Sequence, residues 1–168
     1  MTQGVRLANL SIQNEDVMHE FGIKLAGILN PGDLVLLTGP LGAGKTTLTR
    51  GVGEGLGVIG TVASPTFVIA RTHKRTNSDA PLVHVDAYRL GSPAEFDDLD
   101  INFEKSIVLV EWGRGFADEV ADSWLDIEIE RDHTGASEVR ALTVTGFGER
   151  FDSHHVRSAF AALAGDAS

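Results

Sequence analysis

The stretch that decides the fold is LVLLTGPLGAGKTT, from Leu34 to Thr47. It begins with an apolar run that is too short for a helix and is typical of a buried strand. The residues from Gly39 onward match the phosphate-binding pattern G-x-x-x-x-G-K-[ST] without a mismatch. Helical spacing follows over Lys45–Leu56, and Gly57 is a candidate C-cap. A strand, a glycine-rich loop and a helix in this order predict a nucleotide-binding P-loop.

Each part of this loop has an expected task. Its glycines allow consecutive backbone N–H groups to surround an oxyanion, and the helix N-terminus adds a partial positive charge. Lys45 is expected to reach the β- and γ-phosphates, and the Thr46 hydroxyl to ligate Mg²⁺. ATP is favoured over GTP because the sequence lacks an N-K-x-D base reader. The predicted nucleotide-binding residues are Gly39, Pro40, Leu41, Gly42, Ala43, Gly44, Lys45, Thr46 and Thr47.

Two carboxylates stand where later apolar runs end. Glu111 follows IVLV, and Asp86 follows LVHV. Because the C-terminal ends of parallel strands meet at the ligand crevice of an α/β sheet, either carboxylate can hold the metal shell or orient an attacking water. A single acidic residue at a strand end serves as a turn or capping residue about as often as it serves a functional role. The pair, downstream of a P-loop, favours a catalytic role for Asp86, Glu111 and Lys45.

Other candidates surround this set. The segment SPTF lies between the P-loop helix and the next strand, where switch I of P-loop NTPases lies, and a plain turn is the alternative. Trp112 fits a place near the nucleotide and a place in the core equally well. His84 fits a packed strand residue better than a general base. The residues assigned to this switch group are Ser64, Pro65, Thr66, Phe67, His84 and Trp112.

The remaining pattern completes one α/β domain. Asn14 is a good N-cap for a helix over about 15–29. Phe67–Ala70 and Leu82–Val85 predict a hairpin with a mobile tip at Arg71–Pro81. Further elements are expected as a short acidic helix from Ser92, a strand over Leu125–Ile129, a strand over Val139–Val144 and a helix over Ser153–Leu163. We expect residues 1–168 to form one P-loop NTPase-like domain, a mixed sheet with a parallel core and an antiparallel hairpin, flanked by helices.

Composition excludes several classes of protein. The chain has 168 residues and no cysteine, which excludes thiol chemistry and Cys-ligated zinc. It opens without the pattern of a signal peptide, and no apolar run approaches the ~18 residues of a membrane span. These features predict a cytoplasmic protein with no membrane partner.

Charge is distributed unevenly. The net charge is −10, and the segment Gly91–Asp132, with thirteen acids and three bases, carries the whole imbalance. Direct RNA binding is disfavoured, because phosphate neutralisation requires a basic surface. The segment is either a solvated face or a docking surface for a basic partner. Three bases on the expected hairpin tip, Arg71, Lys74 and Arg75, are either solvated or in contact with a partner.

Four motifs in order, GPLGAGKTT, SPTF, HVDAYRL and LVEW, resemble the TsaE (YjeE) family, the P-loop ATPases of bacterial tRNA threonylcarbamoyladenosine (t6A) biosynthesis. The likeness covers about residues 15–146. It implies a Mg²⁺-dependent ATPase that binds a TsaB–TsaD complex and supports its repeated turnover. That complex modifies N6 of adenosine 37 in tRNAs that read ANN codons, so tRNA is an indirect partner.

Carried over by position, the resemblance implies that Lys45 is the phosphate lysine and that Thr46 and Glu111 are the Mg²⁺ ligands. It also implies that Ser64–Phe67 is switch I, that Asp86 is the switch II acid and that Trp112 is the aromatic residue beside the metal glutamate. The alternative is a P-loop small-molecule kinase. A kinase needs arginines in a lid over the transferred phosphate, and the hairpin tip offers Arg71 and Arg75 for this role.

Overall fold

Seven strands form one mixed sheet in the computed structural model, which describes residues 3–40, 42–60, 62, 69–115, 121–132, 134 and 136–167. The strands are β1 (Gly4–Ile12), β2 (Leu34–Thr38), β3 (Ala70–His73), β4 (Leu82–Asp86), β5 (Ile107–Glu111), β6 (Trp124–Arg131) and β7 (Arg140–Phe147). Across the sheet they follow the order β1-β7-β6-β2-β5-β4-β3. The pairs β6–β2, β2–β5 and β5–β4 are parallel, and the pairs toward both edges are antiparallel. The predicted fold class, with its parallel core and antiparallel hairpin, is confirmed.

Helices cover both faces of the sheet. They are α1 (Glu15–Ala26), α2 (Lys45–Leu56), α3 (Pro93–Asp97), α4 (Glu149–Asp152) and α5 (His154–Ala167). The larger apolar cluster joins one sheet face to α1, α2 and α5, and the smaller one lies on the other face around Phe96. β2 and β5 are apolar on both sides and lie at the centre, as strands of a covered parallel sheet do.

The contact between α1 and α2 is made backbone to backbone. A Cβ at Gly51 would lie 2.2 Å from the carbonyl oxygen of His19, and one at Gly22 would lie 2.4 Å from that of Leu48. Glycine normally weakens a helix. Gly22 and Gly51 are nevertheless found in α1 and α2 because a larger side chain at either position would prevent this close approach. The contact fixes α2, and with it the loop at its N-terminus, against the rest of the fold.

Several predicted boundaries are confirmed and others are wrong. Asn14 caps α1 as predicted, accepting from the Val17 amide at 3.0 Å, but the helix ends at Ala26 because the Gly27 amide turns back to Lys24. Gly57 caps α2 with a φ of 73°, as predicted. The strand predicted at 67–70 begins at Ala70 in the described chain and continues to His73. β1 and α4 were not predicted, and α5 extends beyond its predicted end.

The hairpin tip is anchored, which does not fit the expected mobility. Arg75 donates from Nε to the Leu56 carbonyl at 2.8 Å and from a guanidinium NH to the Ala80 carbonyl at 3.2 Å. The Thr76 amide donates to the Gly57 carbonyl at 2.8 Å. These bonds attach the β3–β4 loop to the C-terminal end of α2.

Candidate functional site

The P-loop connects β2 to α2 through two glycines in the left-handed region. Gly42 has a φ of 77° and Gly44 a φ of 112°, values that L side chains rarely adopt. The Ala43 amide donates to the Pro40 carbonyl at 3.1 Å and closes the turn. Leu41 lies outside the described residues. The loop therefore brings the backbone to the N-terminus of α2 in the arrangement that the motif predicts.

The ammonium of Lys45 lies inside this loop. Its Nζ donates to the Gly39 carbonyl at 2.5 Å and to the Pro40 carbonyl at 3.2 Å, and the residue is only 6% exposed. Burial lowers the pKa of Lys45, whereas the charges of Glu111 and Asp86 oppose that shift. The loop thus concentrates one positive charge beside two carboxylates. Thr46 and Thr47 follow in the first turn of α2 and are half-buried.

Glu111 ends β5 at the same edge of the sheet and is buried. Its Oε2 lies 2.7 Å from Nε2 of His84, a residue of the neighbouring strand with no exposed surface. This pairing was not predicted. The alternation of side chains along LVHVD places His84 and Asp86 on one face, which the sequence shows. The parallel pairing that aligns Asp86 with Glu111 required the strand order, which the sequence does not show.

Asp86 is both near the site and part of a turn. Its Oδ1 accepts from the Tyr88 amide at 3.1 Å, and its Oδ2 lies 3.7 Å from Nε of Arg89. It therefore caps the 3-10 turn Ala87–Arg89, as the alternative interpretation expected. Its Cα pairs with that of Glu111 across β4 and β5, so the two predicted carboxylates come together.

Trp112 lies beside the P-loop lysine. The Lys45 Nζ is 4.5 Å from the centre of the indole ring, and the Tyr88 ring is 5.9 Å away on a tilted plane. Trp112 has a φ of 61°, a rare value for a residue with a side chain, and its amide donates to the Leu37 carbonyl at 2.9 Å. Of the two places that the sequence left open, the structure gives it the one near the loop.

Arg114 fixes the chain just after Trp112. It makes two hydrogen bonds of 2.7 Å to the Asp126 carboxylate and one of 3.2 Å to Glu128. The hydrogen bond to Asp126 is the main cause that raises the pKa of Arg114. Sequence reasoning did not single out this clamp, because nothing in the spacing of Arg114 and Asp126 marks them as partners.

A cleft of about 90 Å³ adjoins the P-loop. Neither Lys45 nor Glu111 lines it. Its wall consists of the start of α1, the second half of the loop and the residues that enter β7. The lining residues are Asn14, Glu15, Met18, Gly42, Ala43, Gly44, Thr47, Glu138 and Arg140.

The structure separates some other candidates from the site. Arg75, offered above as a kinase lid residue, is bonded at the C-terminus of α2, about 18 Å along the helix from the P-loop. The switch I segment, Ser64–Phe67, lies outside the described residues. The acidic segment Gly91–Asp132 does not act as one face, since Glu111 is buried in the site and Asp126 is bonded to Arg114. Asp97, Asp98 and Asp100 are exposed.

The described residues contain neither a ready-made metal cage nor a membrane-spanning helix. No group of three or more His, Asp or Glu side chains in that part of the chain could hold a metal ion by itself. No helix there is long and apolar enough to cross a membrane.

Comparisons with known proteins identify the family. A family model described as "Threonylcarbamoyl adenosine biosynthesis protein TsaE" matches residues 12–140. A Streptomyces coelicolor protein named tRNA threonylcarbamoyladenosine biosynthesis protein TsaE is 55% identical over 80% of this chain and 93% of its own length. A Bacillus subtilis protein of that name is 38% identical over 76% of this chain and 78% of its own. The crystal structure of Bacillus subtilis YdiB matches with a TM-score of 0.70 and 28% identity, and the match covers 100% of this chain and 99% of that one. The motif resemblance is thereby confirmed, and the chain belongs to the TsaE family.

Proposed function

We propose that the chain is a Mg²⁺-dependent ATPase that binds a TsaB–TsaD complex and supports its turnover in t6A formation. Family membership supplies the pathway, t6A biosynthesis. The observation that carries the chemistry is the buried Lys45 ammonium, held inside a P-loop beside Glu111 and Asp86. Modification of adenosine 37 in tRNAs that read ANN codons is then the step that this ATPase serves.

The loop accounts for phosphate binding. Gly42 and Gly44 adopt backbone angles that turn the loop into the start of α2, where N–H groups and the helix dipole favour an anion. Lys45 contributes a full charge in a poorly solvated place, where electrostatic attraction to phosphate is stronger than in water. Together these features support binding of a nucleoside triphosphate.

The cleft beside the loop supports a place for the nucleoside. It is lined by Gly44 and Thr47 but not by Lys45 or Glu111, the residues expected at the β/γ-phosphate end. The ribose and base would then lie between the start of α1 and Arg140. The side chains there that can hydrogen-bond to them are Asn14, Glu15, Thr47, Glu138 and Arg140.

Oxygen donors near the loop fit magnesium. Mg²⁺ in nucleotide sites takes one or two protein oxygens, with phosphates and waters completing the shell. A hydroxyl at Thr46 and a buried carboxylate at Glu111 are such a donor set, and a cage made of protein alone is not required. When bound, the ion would neutralise charge that develops on the phosphates. Glu111 would hold the ion, and Asp86 would orient the attacking water.

The kinase alternative has less support. Arg71 and Arg75 were the two candidates for its lid, and the Arg75 guanidinium is bonded to the backbone carbonyls of Leu56, at the C-terminal end of α2, and of Ala80. Arg71 is exposed on β3 and has no described contact that would direct it to the phosphates.

The test is ADP formation by the purified chain alone, with purified TsaB and TsaD, and with both proteins and tRNA. We expect slow Mg²⁺-dependent hydrolysis alone and faster hydrolysis with the two proteins. ADP that appears only when a small phosphate acceptor is added would favour the kinase. Binding of ATP without ADP under all conditions would leave a nucleotide-binding module and contradict the proposal.

A further inference from the structure

We infer that His84 is a positioning residue for Glu111: the imidazole fixes one carboxylate oxygen so that the other faces the proposed Mg²⁺ site. The inference rests on the proposed function, because it assumes that Glu111 holds the metal. It concerns a side chain that sequence reasoning regarded chiefly as core packing.

The geometry of the pair supports positioning. Nε2 of His84 and Oε2 of Glu111 are 2.7 Å apart, the short distance of a hydrogen bond to a charged group. His84 has no exposed surface and Glu111 is 6% exposed. The two residues lie on neighbouring parallel strands, β4 and β5, so the sheet itself sets their separation.

The direction of this bond follows from the proposed metal role. A carboxylate that holds Mg²⁺ is ionised and only accepts, so Nε2 of His84 would carry the hydrogen and donate it to Oε2 of Glu111. The donation satisfies Oε2 inside the sheet and leaves Oε1 of Glu111 for other ligands. A carboxylate that binds metal is commonly oriented by such an outer hydrogen bond, and the loss of that bond typically lowers metal affinity about 10–100-fold.

A histidine that merely filled the core would not need this contact. His73, on the adjacent strand β3, shows the difference: it is buried at 8% exposure, and its Nε2 has no hydrogen-bond partner among the described residues. His84 instead directs Nε2 at the one carboxylate of β5. Its Nδ1 has no partner in the described chain, so the bond to Glu111 is the polar contact that the structure shows for this ring.

The experiment measures metal-dependent nucleotide binding and needs no turnover. Calorimetry gives the Kd of AMP-PNP, a non-hydrolysable ATP analogue, in excess Mg²⁺ and in EDTA, and the ratio of the two values is the metal effect. The full chain is compared with His84→Gln, whose amide N–H can reach Glu111, and with His84→Asn and His84→Leu, which cannot supply that donor. His73→Leu is the matched control for loss of a buried imidazole, and Glu111→Gln defines loss of the metal carboxylate.

We expect His84→Leu and His84→Asn to lower the metal effect by about tenfold or more, with the Kd in EDTA unchanged. His84→Gln should restore most of the effect, and His73→Leu should keep it. If His84→Leu does not fold, the comparison of His84→Asn with His84→Gln decides alone, since both carry an amide and only one reaches Glu111.

Two outcomes overturn the inference for different reasons. If Glu111→Gln abolishes the metal effect while His84→Leu or His84→Asn retains it, Glu111 holds the metal without help from His84. If the unmodified chain shows no metal effect, or Glu111→Gln leaves it intact, the metal role of Glu111 fails and the inference fails with it.

Discussion

The substitution Gly51→Ala tests the contact that fixes the P-loop helix. The added Cβ would lie 2.2 Å from the His19 carbonyl oxygen and 3.0 Å from the Gly22 Cα, whereas ordinary contacts begin at 3.4 Å. Both atoms are backbone, so no side-chain rotation relieves the clash. α1 and α2 must move apart by roughly 1 Å, which disturbs every apolar contact between them.

The magnitude follows from two opposing effects. Overpacking of a close-packed interface costs about 1–3 kcal/mol and more when backbone must shift, while glycine to alanine in a helix gains about 1 kcal/mol. We expect the larger cost to prevail and the free energy of unfolding to fall by about 2 kcal/mol. For a chain of this length, that corresponds to a decrease in Tm of about 4–8 °C.

Urea unfolding followed by circular dichroism measures this change. Gly165→Ala in α5 is the control, because its added Cβ meets no described atom within 4 Å other than its chain neighbours and the backbone of its own helix, and it should be neutral or stabilise by up to about 1 kcal/mol. If Gly51→Ala is as stable as the unmodified chain, the backbone contact of α1 with α2 does not exist in solution.

Three further predictions address charge. Lys45→Ala should weaken ATP binding by about tenfold or more, since a hydrogen bond to a charged group contributes about 1.5–3 kcal/mol; a titration that matches the unmodified chain would refute the P-loop assignment. Burial is the main cause that lowers the pKa of His73 below 6.5, with His84 and Arg71 contributing. As the pH falls, the His73 imidazole is therefore protonated in the unfolded chain before it is protonated in the folded one, so the free energy of unfolding should decrease as pH drops from about 7.5 to about 5. His73→Gln should reduce the slope of this free energy against pH by up to about 1.4 kcal/mol per pH unit. Equal slopes for the two proteins in urea unfolding would contradict this prediction. If exposed acids steer association with TsaB–TsaD, raising salt from about 50 to about 500 mM should slow that association. Replacing Asp97, Asp98 and Asp100 together by Asn should slow it at low salt. An on-rate that neither change alters would indicate that the acidic segment serves solubility only.

The elements that were predicted most accurately are those determined by patterns of neighbouring residues. The run before Gly39 and the helical spacing after Lys45 predicted β2, the loop and α2 closely, because strand, turn and helix are each determined by local residues there. The ends of β4 and β5 were placed well for the same reason, and so were their carboxylates.

The features that the sequence did not predict depend on contacts between distant segments. In β1 the alternation of apolar and polar residues is irregular, because the register shifts between Arg6 and Ala8. The period-two pattern that identifies a strand in a sequence is therefore interrupted in this segment. Arg75 lies in a polar stretch that is typical of a solvated loop, yet its guanidinium donates a hydrogen bond to the distant Leu56 carbonyl. The bond of His84 to Glu111 needed the strand order as well as the alternation.

Hydrolysis by Glu111→Gln tests the central claim most directly. The change keeps the shape of the side chain and removes its charge, so ATP should still bind, without the gain in affinity that Mg²⁺ confers, while single-turnover hydrolysis at saturating ATP in Mg²⁺ slows by about 10² or more. Asp86→Asn, measured beside it, should give a separable defect. Hydrolysis by Glu111→Gln at the rate of the unmodified chain would contradict the account and make Asp86 the principal carboxylate.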